Sequence, residues 1–404
     1  MHCKPIIPFV LAPLVLQAQA RPQCRSPANG KAIYMISNED KNAVLALPIG
    51  RHGLFAAGTG TLTATGGSGM TGVQADNSPA IPDGLFSQSS VTIAGNHLFA
   101  VNPGSNTVSM FAINPYDPTK LTLVGAPVAV PGEFPVTVAA SKRNKVVCVG
   151  TSGAVAGLSC ATFSAQGIGA MDSLRTFDIG QTTPPVGPTN TVSHAFFSED
   201  ESTIFTTVKG DPATNKTGFL AAFPINAPSD CEARAAVDQQ GMRSSPVGTA
   251  VLFGSSPISG SDNLFVTDAS FGAAVLTNGG VDVAKATFTV QGKGVIDGQS
   301  ATCWAAISPA TKTAFVTDVG VNRLVEMSLD DASIKNIIDL STNGDPGLID
   351  LRAAGNLVYA LSPGNGSTPA AITVVDAVTK KQVQHFQLEG IDFGKRAQGM
   401  AILV

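Results

Sequence analysis

One cadence recurs along this chain: a strand, a polar turn, an apolar strand, a Gly/Asn/Asp turn and a further strand. A repeat of that length restricts the fold more than any single motif does. The stretch "ISPATKTAFVTDVGVNRLVEMSL" (307–329) matches "IAGNHLFAVNPGSNTVSMFAI" (93–113) and "AASKRNKVVCVGTSGAVAGLSCATF" (139–163) in this respect. The same order returns at 30–49, 196–225, 252–276 and 351–377, making seven units. Each run is rich in Val, Ile, Phe, Leu and Thr and is bounded by Gly, Pro, Asn or Asp, as strands and hairpins require.

Seven units over the chain give roughly fifty residues each, the size of a four-stranded propeller blade. The expected fold is therefore all-β: a seven-bladed β-propeller of four-stranded antiparallel blades, one domain over 21–404. The first unit lacks an innermost strand, and the final run "GMAILV" (399–404) lacks a neighbour. The C-terminal strand is expected to complete the first blade, which pairs two otherwise exposed edges. Composition agrees: 44% hydrophobic content suffices for a large core, while 42 glycines and only 13% charge fit strands and turns rather than surface helices. The net charge of -4, with no basic run, leaves no electrostatic footprint for nucleic acid.

The opening "MHCKPIIPFVLAPLVLQAQA" has a short basic start, an apolar stretch and the small-residue pattern Ala18-Gln19-Ala20. It reads as a signal peptide over 1–20, cleaved after Ala20. A membrane span is not expected, because the apolar run is shorter than the ~20 residues a spanning helix needs. The protein is thus expected to be secreted, extracellular or wall-associated, where cysteines can pair. Cys148 and Cys160 lie equally far from a turn centred on Ala154, on adjacent strands, and are expected to form a disulfide. The partners of Cys24, Cys231 and Cys303 stay open. Asn215 and Asn365 head Asn-x-Thr and Asn-x-Ser sequons and are candidate glycan sites.

In an up-and-down blade, the start of the inner strand and the turn between the second and third strands share the face around the channel. That places His194, Cys303 and Trp304 at the channel mouth. Glu39, Asp40, Asn102, Asn106, Asp211, Asp268, Asp318 and Arg323 then stand on the rim. Asp and Asn are also what hairpin turns select through Asx hydrogen bonds, so a structural role stands beside a binding one. His194 is the candidate acid or base, and Trp304 is either a core plug or a pocket wall. No zinc-type cluster, G-x-S-x-G elbow, P-loop or EF-hand occurs, so no metal and no cofactor is expected. The Gly-rich "GTGTLTATGGSG" (58–69) reads as a surface connection.

The units "LFAVNPGSNTVSMFAI", "SHAFFSEDESTIFTTVKGD" and "AISPATKTAFVTDVGVNRLVEMSL" resemble the lactonase-type seven-bladed propellers, which include 6-phosphogluconolactonase-like proteins and fungal carboxymuconate cyclases. Nearly all of 24–404 is similar to secreted fungal 3-carboxymuconate cyclase-like proteins, some of them surface glycoprotein antigens with adhesin roles. The resemblance implies a His before an inner strand and charged channel residues that hold a carboxylated substrate. His194 matches that His, and Asp318 and Arg323 match an Asp-x-Gly turn followed by polar residues. Cys303-Trp304 stands where a His is usual.

Two functions follow. One is a secreted, glycosylated, monomeric binding protein whose partner is a host or matrix protein or a glycan. The other is an extracellular cycloisomerase or lactonase acting on a small carboxylated molecule, with His194 as acid/base and Arg323 holding the carboxylate.

Overall fold

The computed structural model describes residues 28–226, 235–278, 287–391 and 393–404. Residues 1–20, read above as a signal peptide, and Cys24 and Cys231 lie outside these residues. The chain is a seven-bladed β-propeller of antiparallel sheets. No α-helix occurs among the described residues, and no helix is long and apolar enough to cross a membrane. The innermost strands, from blade 2 to blade 7, are Val91–Ala94, Pro135–Ser141, Val192–Phe197, Leu252–Pro257, Thr302–Ile307 and Ile349–Ala354. Blade 1 takes its innermost strand from the C-terminus, Gln398–Leu403, which pairs with Ala32–Ile36. In blades 2, 3 and 4 the outermost strand is broken into two short pieces that pair with the same neighbour.

Middle strands such as Ala32–Ile36 and Val146–Thr151 are buried along their whole length. Blades stack face to face, so both faces of a middle strand are covered, and this explains why the apolar runs are continuous rather than alternating. Outermost strands such as Ile334–Asp339 and Lys381–Gln387 are largely exposed and carry the polar residues. The glycine-rich segment departs from its expected reading. Thr61–Ala64 is the outermost strand of blade 1, and its small threonines and lone Leu62 give too weak a period-2 signal to mark a strand. Cys148 opposes Cys160 in register and is bonded to it.

Six of the seven inner strands carry a register shift near their start, at Pro135/Thr137, Val192/His194, Leu252/Ser255, Thr302/Trp304, Ile349/Leu351 and Gln398/Ala401. Such bulges re-aim side chains and bend the strand. Here they turn side chains and free backbone groups toward the axis.

Candidate functional site

An innermost strand presents a free edge of N–H and C=O groups toward the channel, which has to be satisfied. This chain does so with its own connection between blades 1 and 2. Residues 82–90 enter the channel and reach every blade. Gln398 of blade 1 donates from Nε2 to Pro82 O (2.8 Å), and Val101 N of blade 2 donates to Ser90 O (3.1 Å). On blade 3, Ser87 Oγ donates to Val136 O (2.7 Å), and Thr137 Oγ1 donates to Gln88 O (2.8 Å). Gln88 N donates to Ser193 O of blade 4 (2.8 Å). The Gln88 amide then grips Ala305 of blade 6 like a strand partner: Nε2 donates to Ala305 O (2.9 Å) and Oε1 accepts from Ala305 N (3.2 Å). Gly254 of blade 5 permits this approach, because a Cβ there would lie 2.2 Å from Gln88 Oε1.

Trp304 belongs to this plug. It is 1% exposed, donates from Nε1 to Ser87 O (3.0 Å) and meets Phe253 edge to face. Of the two alternatives, it fills the core and holds the plug. The plugged channel leaves one hollow at each end.

The lower hollow, about 280 Å³, is lined by Ser89, His194 and the first turn of blade 4. His194 therefore opens toward the face opposite the expected mouth, because the bulge places it partway down its strand. Ser255 N donates to His194 Nδ1 (3.2 Å), so that nitrogen carries the lone pair and Nε2 carries the proton. Nε2 lies 2.9 Å from Ser89 Oγ, and Arg352 donates to the same oxygen (2.8 Å). Burial first, and the nearby Arg352 charge second, push His194 down to about 3, so the ring stays neutral. Asp350, at the blade 7 bulge with φ 49°, pairs with Arg352 at 2.5 Å; burial raises its carboxyl and Arg352 opposes that rise. Ser89 Oγ thus accepts from two donors and keeps its own proton for an incoming oxygen. The Ser89 hydroxyl can donate to a carboxylate or carbonyl, while the Asp350 carboxylate is taken up by Arg352, Leu351 N and Ser89 N.

The upper hollow is of similar size and mostly apolar, with Asp83, Lys209 and Cys303 among its walls. Lys209 is 2% exposed; its ammonium donates to Phe86 O and lies 4.2 Å from the centre of the Phe253 ring. Burial pulls Lys209 down to about 8 and pushes the half-buried Asp83 up to about 7, while each one's charge opposes the other's shift. Cys303 is buried and free, and burial raises its thiol well above the usual range.

The remaining predicted residues do not converge on either hollow. Asp268 accepts from Ala250 N (2.7 Å), Val251 N (3.1 Å) and Ser270 N (3.0 Å). Asp318 repeats the pattern with Ser300 N (2.8 Å), Ala301 N (3.2 Å) and Gly320 N (2.9 Å). Both carboxylates staple the entry of an inner strand to the adjacent hairpin. Asp211 caps a 3₁₀ turn through Ala213 N (3.1 Å). Asn102 bonds Ser109 Oγ (2.8 Å), and Asn106 accepts from Phe134 N (2.8 Å). Arg396 ties Glu39 and Asp40 to the blade 1 end (3.3 and 3.1 Å). Arg323 donates to Asp297 O (3.0 Å), and no contact links it to His194; the guanidinium beside His194 is that of Arg352. Asn215 and Asn365 are exposed, each in the loop between the second and third strands of its blade.

Ser89, Arg352, Asp83 and Lys209 were not singled out in the sequence. The one hint was Asp83, a lone charge in the apolar and Pro/Gly run Ile81-Pro82-Asp83-Gly84-Leu85-Phe86. Among the described residues no cluster of His, Cys, Asp and Glu is arranged to hold a metal.

No protein-family model and no curated protein sequence matches the chain. Solved structures do match in shape. The periplasmic gluconolactonase of Pseudomonas aeruginosa superimposes with a TM-score of 0.63 at 12% identity, covering 92% of this chain and 99% of the other. A functionally unknown protein from Desulfotomaculum acetoxidans gives 0.58 at 10% identity, with 92% and 99% covered. A putative 6-phosphogluconolactonase from Bacteroides uniformis gives 0.50 at 16%, with 71% and 80% covered. At these identities the likeness is one of fold.

Proposed function

We propose that the chain is an exported, glycosylated propeller that binds a small carboxylated molecule at the lower end of its channel. One observation carries this reading: His194 Nε2 and an Arg352 nitrogen both lie within 2.9 Å of Ser89 Oγ, so the Ser89 hydroxyl in the wall of the hollow keeps its own proton to donate, while Glu199 and Glu201, which also line the hollow, already accept from Ser259 and Gly260 N and from Ser141 and Arg143 N. A carboxylate satisfies such donors through charge-assisted hydrogen bonds. General acid–base turnover requires a group that titrates near the working pH, and His194, held at about 3 with both nitrogens engaged, does not meet that need. The exposed sequon asparagines and the leader-like first twenty residues support export to an oxidising compartment, as does the Cys148–Cys160 bond. Adhesion to a matrix protein or glycan through the rim loops belongs to the same extracellular reading.

A second reading, a lactonase or muconate-type cycloisomerase at the same hollow, draws on the shape shared with the P. aeruginosa gluconolactonase. One experiment separates the two. Purified protein is titrated calorimetrically with 3-carboxymuconate, gluconate and a panel of lactones while absorbance follows turnover. Saturable binding without turnover, weakened about ten-fold or more in Arg352→Met and less in Arg352→Lys, supports the binding site. Turnover that disappears in His194→Ala overturns it in favour of the enzyme. Retention on immobilised matrix proteins or glycans with no small-molecule binding moves the function to the rim.

A further inference from the structure

The upper hollow is a separate place from the Ser89–His194–Arg352 cluster, and its chemistry differs. Its walls are chiefly apolar, from Ile81, Phe86, Val251 and Phe253 among others, and three reactive side chains share it: an amine, a carboxyl and a thiol. Lys209 and Asp83 come from distant parts of the chain, the second-strand end of blade 4 and the plug, yet both face this one space. The amine is fixed in place, with one hydrogen committed to Phe86 O and the Phe253 ring beneath it. Asp83 is held by the turn it caps, its Oδ1 accepting from Phe86 N (2.9 Å). A rigid amine in an apolar wall, sharing its hollow with a carboxyl that can shuttle a proton, is the arrangement a carbonyl-condensing lysine needs.

We infer that Lys209 forms a reversible imine with a small, mainly apolar aldehyde or ketone bound in the upper hollow. The Nζ lone pair attacks the carbonyl carbon, the C=O π pair moves onto oxygen, and that oxygen takes the Asp83 proton. The nitrogen gives up one proton to the Asp83 carboxylate, the carbinolamine hydroxyl leaves as water with a proton from Asp83, and loss of the last N–H proton gives the neutral imine. The net change is amine plus carbonyl to imine plus water. Burial favours the unprotonated amine that the attack requires, and it keeps the Cys303 sulfur as a thiol, which removes the competing nucleophile.

The test uses the full folded chain with hexanal and sodium cyanoborohydride, followed by intact mass and peptide mapping. The expected result is one hexyl adduct per chain, on Lys209, at a rate at least ten-fold above that of exposed lysines such as Lys41 and Lys312. Lys209→Arg, which keeps the charge but cannot condense, loses that adduct and retains only the slow surface labelling. Even labelling over the exposed lysines with Lys209 untouched overturns the inference, and so does an adduct on Cys303 in its place. Because the wild-type protein carries the decisive measurement, a folding defect in the variant does not rescue the idea. Failure here leaves the carboxylate site at the other end of the channel unaffected.

Discussion

Gln88→Leu isolates what the plug contributes. The Gln88 side chain is 2% exposed, and its amide makes both of its hydrogen bonds to one residue, Ala305, itself 1% exposed. Leucine has nearly the same volume, so the packing change is small, below ~1.5 kcal/mol. The polar loss is not small. It leaves the N–H and C=O of Ala305 buried on a free strand edge with an apolar side chain in the way of water. Each unsatisfied group costs about 1–3 kcal/mol, so the variant is expected to lose roughly 2–6 kcal/mol. The assay is built in: Trp304, the single tryptophan of the chain, is the neighbour of Ala305 and donates to Ser87 O. Guanidinium unfolding followed by tryptophan emission should show the midpoint falling with the slope unchanged. A loss below about 1 kcal/mol would refute the idea that the plug satisfies the inner edge of the ring.

Three further outcomes follow from the same structure. Removing 397–404 strips blade 1 of its innermost strand, including the fully buried Met400, together with the buried Ala397 before it, and should destabilise the whole ring; a truncated protein that melts like the full chain contradicts the closure. His194, near 6.5 when unfolded and about 3 when folded, contributes stability that is complete above pH 6.5 and is lost as pH falls toward 3; urea midpoints between pH 7 and 4 should fall less steeply in His194→Gln, by up to ~1.4 kcal/mol per pH unit, and equal slopes would refute the burial. Asp318→Ala should cost about 1–3 kcal/mol because the buried carboxylate's three N–H partners, on half-buried Ala301 and exposed Ser300 and Gly320, lose their acceptor, whereas Asp211→Ala, an exposed turn cap, should cost no more than about 1 kcal/mol; the reverse order in thermal melts would return Asp318 to a binding role.

The ring was legible because each blade repeats one pattern and because the strand missing at one end was left over at the other. The disulfide was legible because both cysteines sit at equal distance from one hairpin turn. The site was much less so. The segment "TGVQADNSPAIPDGLFSQSS" (71–90) has the Gly, Pro, Asn and Ser content of a surface loop, and nothing periodic marks it as the filling of a channel. Many of its partners are backbone groups on other blades, which leave no trace in residue identity. Lys209, in "TTVKGDP", reads as a solvated turn lysine until Phe86 and Phe253 are brought over it. The face His194 opens to was misjudged because a one-residue bulge is invisible to alternation counting. The rim carboxylates, by contrast, make the local turn contacts that their Asx chemistry suggests.

The plug also has a consequence in time. Gln88 and Ser87 precede Ala305 and Trp304 by 217 residues, yet each pair is joined by a buried hydrogen bond. During synthesis residues 82–90 emerge long before the blades that will enclose them, and they wait with their polar groups in water while most of the ring is made. The gain from these contacts arrives only after the largest loop closures. Early blades are therefore not self-sufficient intermediates. The later blades must assemble around a guest that the first two have already delivered, which binds the whole circle into a single late event.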